Sequence, residues 1–217
     1  MPSSLISEGW QLSNAQVVVE VAGTLAFALS GILEAARKRL DAVGVCFVAG
    51  VAAFGGGTLR DVLLDRRPFF WVERAGWLWA VLLLCVAAML FLRARHFTPT
   101  ERGMQWPDAL GLGLFAATGT QIAAADGLPA IVAVLMGVMT AVFGGVLRDV
   151  LCNEVPRAFN DHRPYALCAF AGGWVVLGAQ QVGLAPPLAL AAGVLVATAA
   201  RILALHFGWR LPPWREG

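Results

Sequence analysis

Phe54-Gly55-Gly56-Gly57-Thr58-Leu59-Arg60-Asp61-Val62-Leu63 closes an apolar run that begins near Ala42, and Phe143-Gly144-Gly145-Val146-Leu147-Arg148-Asp149-Val150-Leu151 repeats it. Consecutive glycines weaken a helix, each costing about 1 kcal/mol against alanine. The Arg-Asp pair that follows stands where an apolar span ordinarily avoids charge. The two copies are offset by 88 positions (148 − 60).

Working outward at that offset, Phe27-Ala28 falls on Phe115-Ala116, Ser30 on Thr118, Gly31 on Gly119, Pro68 on Pro156 and Glu20 on Asp108. Shared composition does not align Gly-Gly, Arg-Asp and Pro in one register. The chain therefore reads as an internal duplication.

The 217 residues are 59% hydrophobic and 14% charged. Soluble domains run at about 45–50% apolar and about 25% charged. This is the composition of an integral membrane protein. A span needs about 20 mostly apolar residues, and seven such runs are present, at 14–36, 42–64, 76–93, 107–125, 129–152, 164–182 and 187–206. The expected fold is an all-α integral membrane protein forming a single membrane domain over 1–217. Repeat one covers 14–93, repeat two covers 107–182, and an extra helix covers 187–206. Three spans per repeat reverse the side from which the next copy enters, so the two repeats are expected to be inverted in the membrane.

The N-terminal tail carries no Lys or Arg, which argues against a cleaved signal peptide. Lys and Arg gather in the first loop (Arg37, Lys38, Arg39), the third (Arg93, Arg95, Arg102), the fifth (Arg157, Arg163) and the C-terminal tail (Arg210, Arg215). That bias predicts a bacterial cytoplasmic (inner) membrane protein with its N-terminus outside and its C-terminus in the cytoplasm. Arg66, Arg67 and Arg74 in the second loop run against the trend.

Several function classes fall away. A formal net charge of +2 gives no footprint for nucleic acid. Cys46, Cys85, Cys152 and Cys168 lie in or beside apolar segments without a CxxC, and read as reduced thiols. His96, His162 and His206 lack ligand spacing, so no metal or cofactor is expected. No GxSxG, HExxH or phosphate-loop motif marks an enzyme. Trp71, Trp77, Trp106, Trp209 and Trp214 near segment ends suggest a belt against membrane lipid.

The glycines admit two readings. They permit close helix packing, or they break two helices at matched places, the usual pointer to a permeation or binding site between repeats. A helix rises about 1.5 Å per residue, so Gly56 lies past mid-membrane and Arg60 nears the far interface. Glu20 lies early in the first span, near the depth of Arg60, and Asp108 early in the fourth, near the depth of Arg148. Two structural ion pairs are expected, Glu20–Arg60 and Asp108–Arg148, each holding one mouth of a pathway. Arg60 and Asp61 point about 100° apart as helix neighbours and are not expected to face each other. Asp61 and Asp149 are left to cap backbone or attract cations. Ser30 and Thr118 are candidates for pore lining or helix packing.

These residues resemble a known family. Two three-helix repeats, each with a Gly-Gly-Gly-x-x-Arg-Asp-like motif, plus a seventh helix, are similar to the prokaryotic trimeric intracellular cation (TRIC) channels, also described as the UPF0126 or "glycine transporter" domain family. The motifs that carry the likeness are Phe27 to Gly31 with Gly55 to Asp61, and Phe115 to Gly119 with Gly144 to Asp149. The resemblance implies a homotrimer with one pore per protomer and a path for monovalent cations, potassium among them. It places glycine-broken second and fifth spans at the constrictions. Phe143 stands where the family pattern has its first glycine, so that copy is expected to bend less or to narrow the path. A small-solute or amino-acid transporter using the same pathway is the alternative reading, and a structural or regulatory membrane protein the third.

Overall fold

The computed structural model describes residues 13–95 and 100–212. His96, Pro99, Trp214 and Arg215 lie outside the described residues. Among those described the chain is helical: α1 (Asn14–Arg37), α2 (Ala42–Leu63), α3 (Phe70–Glu73), α4 (Gly76–Arg95), α5 (Glu101–Ala125), α6 (Ala130–Leu151), α7 (Arg157–Asn160), α8 (Ala166–Gln181) and α9 (Pro186–Phe207). The helices α1, α2, α6 and α9 are long and apolar enough to cross a membrane, while α4 and α8 hold shorter apolar stretches.

Local chemistry explains the helix starts. The Ser13 hydroxyl accepts from the Gln16 amide while the Gln16 side chain accepts from the Ser13 amide, a capping box for α1. Asp41 Oδ1 accepts from the Gly44 amide at 2.7 Å and starts α2. Pro186 and Pro187 open α9, where their missing N–H groups cost nothing, and Gly208 ends it at φ 64°. The fourth span was expected to begin at 107. It begins six residues earlier, because Thr100 caps the Gly103 amide at 3.1 Å and α5 runs on through Pro107. The short helices α3 and α7 had no sequence signal of their own.

The helix α5 is the centre of the molecule. Every residue from Gly111 to Ala123 is buried, and α5 packs on α1, α6, α8 and α9. A helix apolar on all sides needs such a position. The helix α4 leans on α1 and α2, and α8 leans on α5 and α6.

Contacts between equivalent positions are reciprocal. The Phe27 and Phe115 rings sit 5.4 Å apart. A Cβ on Gly23 would lie 2.7 Å from the Phe115 ring, and one on Gly111 would lie 2.8 Å from the Phe27 ring. Where α2 crosses α6, a Cβ on Gly56 would strike the Thr140 carbonyl oxygen, and one on Gly144 would strike the Ala52 carbonyl oxygen. Reciprocal contacts of this kind are what a two-fold relation produces.

These crossings correct the expectation of broken helices. Both α2 and α6 continue through their glycines for 22 residues each. The absence of a side chain at Gly56 and Gly144 lets two backbones touch. Packing, not a break, is what these glycines provide.

Candidate functional site

The first cluster forms where α2 ends. Arg60 lies in the last turn of α2, a position that favours a cation. It is 2% exposed, and the Glu20 carboxylate of α1 beside it is 1% exposed. Arg60 Nη1 donates to Glu20 Oε1. Arg60 Nε and Nη2 donate to Asp61 Oδ1 at 2.9 and 2.7 Å. Asp61 Oδ2 accepts the backbone N–H of Phe70 at 2.9 Å. The Phe70 ring, 5.4 Å from the Arg60 guanidinium carbon, covers the cluster. Adjacent Arg60 and Asp61 were not expected to face each other. They do, because the long arginine stem folds back across the helix end to the carboxylate.

The second cluster repeats this at α6. Arg148, 2% exposed, donates through Nη1 to Asp108 Oδ1 at 2.5 Å and through Nε to Asp149 Oδ1 at 2.9 Å. Asp149 Oδ2 accepts the backbone N–H of Arg157 at 3.0 Å. Arg148 Nη1 also donates to the Ser30 hydroxyl at 2.5 Å, a contact that crosses from one repeat to the other. Each cluster joins one arginine to two carboxylates, a formal net charge of −1 (1 − 2) with all groups ionised. Unsolvated charges at such burial hold only when paired.

The remaining candidates divide. Gly57 and Gly145 adjoin the clusters: a Cβ on Gly57 would meet the Phe70 ring, and one on Gly145 would lie 3.1 Å from the Tyr165 hydroxyl and 3.6 Å from Asp108 Oδ1. Thr118 does not mirror Ser30, since its hydroxyl returns to the Leu114 carbonyl of its own helix at 2.8 Å. Gly55 and Phe143 lie away from the charges, on an apolar groove of about 450 Å³ shared with Trp71 and Leu147. Among the described residues no cluster of His, Cys, Asp and Glu is arranged to hold a metal ion, and the four cysteines are free thiols.

Several charged partners had escaped sequence reasoning. Lys38 meets Glu154, and Arg66 Nε lies 3.4 Å from Asp126 Oδ2. These pairs are equivalent at the offset of 88 (126 − 38 and 154 − 66), but with the charges exchanged, so matching residue types could not find them. The hydrogen bond from Lys38, aided by its charge and that of Arg37, holds the Glu154 carboxyl below its ordinary pKa. Arg201 of α9, 1% exposed, pairs with Asp161 at 3.4 Å and lies over the Tyr165 ring. The second-loop cations that ran against the orientation trend have local partners: Arg66 has Asp126, while Arg67 and Arg74 lie over the Phe69 and Trp77 rings.

The model of a family described as Glycine transporter matches residues 17–94 and 105–181. A UPF0126 membrane protein of Vibrio cholerae is 34% identical over 199 residues, covering 90% of this chain and 81% of its own. The UPF0126 inner membrane protein YadS of Escherichia coli K12 is 33% identical, covering 89% and 93%. Among solved structures, a TRIC trimeric intracellular cation channel orthologue from Rhodobacter sphaeroides superposes with a TM-score of 0.83 at 35% identity, covering 91% of this chain and all of its own. A second TRIC cation channel structure gives 0.80 at 33%, covering 93% and 98%. With its duplicated motif inside both matched segments, this membrane protein belongs to the glycine transporter, or UPF0126, family, and it shares its fold with TRIC cation channels.

Proposed function

We propose that this protein is a homotrimeric, potassium-permeable cation channel of the bacterial inner membrane, with one pore per protomer. The observation that carries the reading is the pair of buried clusters, each with two carboxylates to one arginine, at matched ends of crossing helices. A net negative, poorly solvated site attracts cations and repels anions. The likeness to TRIC cation channels over more than nine-tenths of the chain supports the same reading.

In this scheme the repeats 14–93 and 107–182 are inverted, and α9 stands outside the duplication. The reciprocal contacts and the odd number of spans per repeat support inversion. The pathway follows the crossing of α2 and α6. Glu20, Arg60 and Asp61 line one mouth with Gly55, Gly56 and Gly57 beside them. Asp108, Arg148, Asp149 and Ser30 line the other with Phe143, Gly144 and Gly145, and Thr118 packs the helix between. The N-terminus lies outside and the C-terminus in the cytoplasm, with lipid around the apolar exterior.

A planar bilayer holding the purified protein tests this. Unitary potassium current steps that reverse at the potassium equilibrium potential support the channel. The family's description as a glycine transporter favours one other reading, a carrier of a small amino acid on the same pathway. Saturable glycine uptake by proteoliposomes with no unitary current would establish that carrier instead.

A further inference from the structure

The two clusters are built alike but have different surroundings, and Glu34 stands beside only one of them. It lies on α1 with no exposure at all. At the offset of 88 its place is taken by Ile122. Glu34 Oε1 accepts from Arg37 Nη2 at 2.6 Å, and Oε2 accepts from Arg157 Nη2 at 3.1 Å. Arg157 opens α7. Its backbone N–H holds Asp149 Oδ2, and its Nη1 lies 2.8 Å from the Met104 sulfur of α5. One residue therefore ties the buried Arg148 cluster to both α1 and α5.

The connection continues outward. Arg37 also lies 3.4 Å from Glu154, which Lys38 meets as well. From Asp108 inside to Lys38 at the edge, residues of alternating charge follow one another in a ladder, with the link from Asp149 to Arg157 made by the Arg157 backbone N–H and the others by side-chain ion pairs. Among the described residues the Arg60 cluster has no counterpart of Glu34, whose place is taken by Ile122 in the other repeat. There Phe70 gives the backbone N–H that Arg157 gives in the other copy, and its ring closes the site.

We propose that Glu34 is a positioning residue. Through Arg157 it fixes the carboxylate of Asp149, and with it Arg148, so that the Arg148 mouth is latched by charge while the Arg60 mouth is latched by aromatic packing. The inference rests on the channel reading above, and it makes the Arg148 mouth the end whose opening is set by its charge pairs. A latch of paired charges has two discrete states, made and broken, and either state can be populated by changing one partner.

Three variants test it. E34Q is nearly isosteric and loses only the charge, E34I installs the residue found in the other repeat, and E34D keeps the charge on a shorter stem. Hydrogen–deuterium exchange reports the latch without any need for conduction. The α7 peptide spanning 157–160 is expected to exchange at least tenfold faster in E34Q than in the unaltered protein, with E34D in between. Single-channel recording reports the consequence. E34Q is expected to change the open probability at least threefold at unchanged unitary conductance, and E34D to return it most of the way. If E34I does not assemble, E34Q alone decides. Exchange at α7 unchanged in E34Q overturns the latch. Faster exchange with unaltered gating in a conducting protein overturns the role in opening. A protein that passes no unitary current before any substitution defeats the channel reading instead, while the exchange measurement still answers for the latch.

Discussion

Gly56 of α2 packs against the backbone carbonyl of Thr140 on α6, and Gly144 of α6 packs against the carbonyl of Ala52 on α2. Four positions thus form one crossing, and each glycine meets backbone that cannot rotate away. Overpacking of a tight site costs about 1–3 kcal/mol. G56A and G144A are therefore expected to lower the melting temperature in detergent markedly and to reduce potassium flux. G55A is the contrast. Its Cβ would crowd the end of the Leu147 side chain, 2.7 Å away, which can shift, and would meet the Gly144 backbone at an ordinary 3.9 Å. G55A is expected to melt close to the unaltered protein. Equal losses in all three would show that the close crossing of α2 with α6 does not set the need for glycine.

The ion-pair clusters imply an order of severity that simple charge counting does not. R60M orphans two buried carboxylates, Glu20 and Asp61, whereas E20Q leaves Arg60 still bonded to Asp61. Breaking a buried pair from one side costs about 3–5 kcal/mol, while removing both partners costs much less. R60M is expected to be the most damaging, E20Q milder, and R60M combined with E20Q and D61N better folded than R60M alone. R148M should follow the same pattern. S30A, which removes one of several acceptors on Arg148, should cost about 1 kcal/mol. Thermal melts of the set decide it: a triple variant no more stable than R60M would show that the cluster is not held by pairing.

Much of this was legible because the chain says it twice. Helix rise puts Glu20 near the depth of Arg60 and Asp108 near that of Arg148, and those are the residues that meet. The apolar runs likewise mark where the long helices lie. Legibility failed where the two copies differ. Glu34 has Ile122 as its counterpart, and Lys38–Glu154 answers Asp126–Arg66 with charges exchanged. A search for matched residues passes over both. Of the two readings the glycines admit, a helix break does not hold, for another reason. Propensity is a local quantity of about 1 kcal/mol per residue, and the crossing of α2 with α6 overrides it. Thr118 looked equivalent to Ser30, but its hydroxyl bonds its own helix and not an arginine.

Acid should open the outermost rung of the charge ladder. Glu154 has a carboxyl pKa below its ordinary value of 4.5, because Lys38 bonds its charged form. A carboxylate whose folded pKa is depressed contributes stability above its unfolded pKa and loses it as pH falls through the folded value. The difference in melting temperature between the unaltered protein and E154Q is therefore expected to be constant from pH 7 to about pH 5 and to close below the ordinary carboxylate range. A difference that persists unchanged at pH 3 would mean that Glu154 acts through packing and not through its charge.

Inversion of the repeats is open to a direct chemical test. Arg67 and Val155 are equivalent at the offset of 88 (155 − 67), and both are exposed in the turns that follow α2 and α6. Asp65 and Asn153 are the more obvious pair, but both sit at positive φ, 50° and 56°, where a cysteine would be strained. R67C and V155C, each in a background with the four native cysteines replaced by alanine, are therefore the better probes. With an odd number of spans between them, the two turns lie on opposite faces of the membrane. The bias of Lys and Arg puts Arg67 outside and Val155 in the cytoplasm. An impermeant maleimide added to intact cells is expected to label R67C at once, and V155C only after the membrane is opened. Labelling of both from outside would place the turns on one face and make the repeats parallel. The pathway would then need mouths assigned by some feature other than the Arg60 and Arg148 clusters.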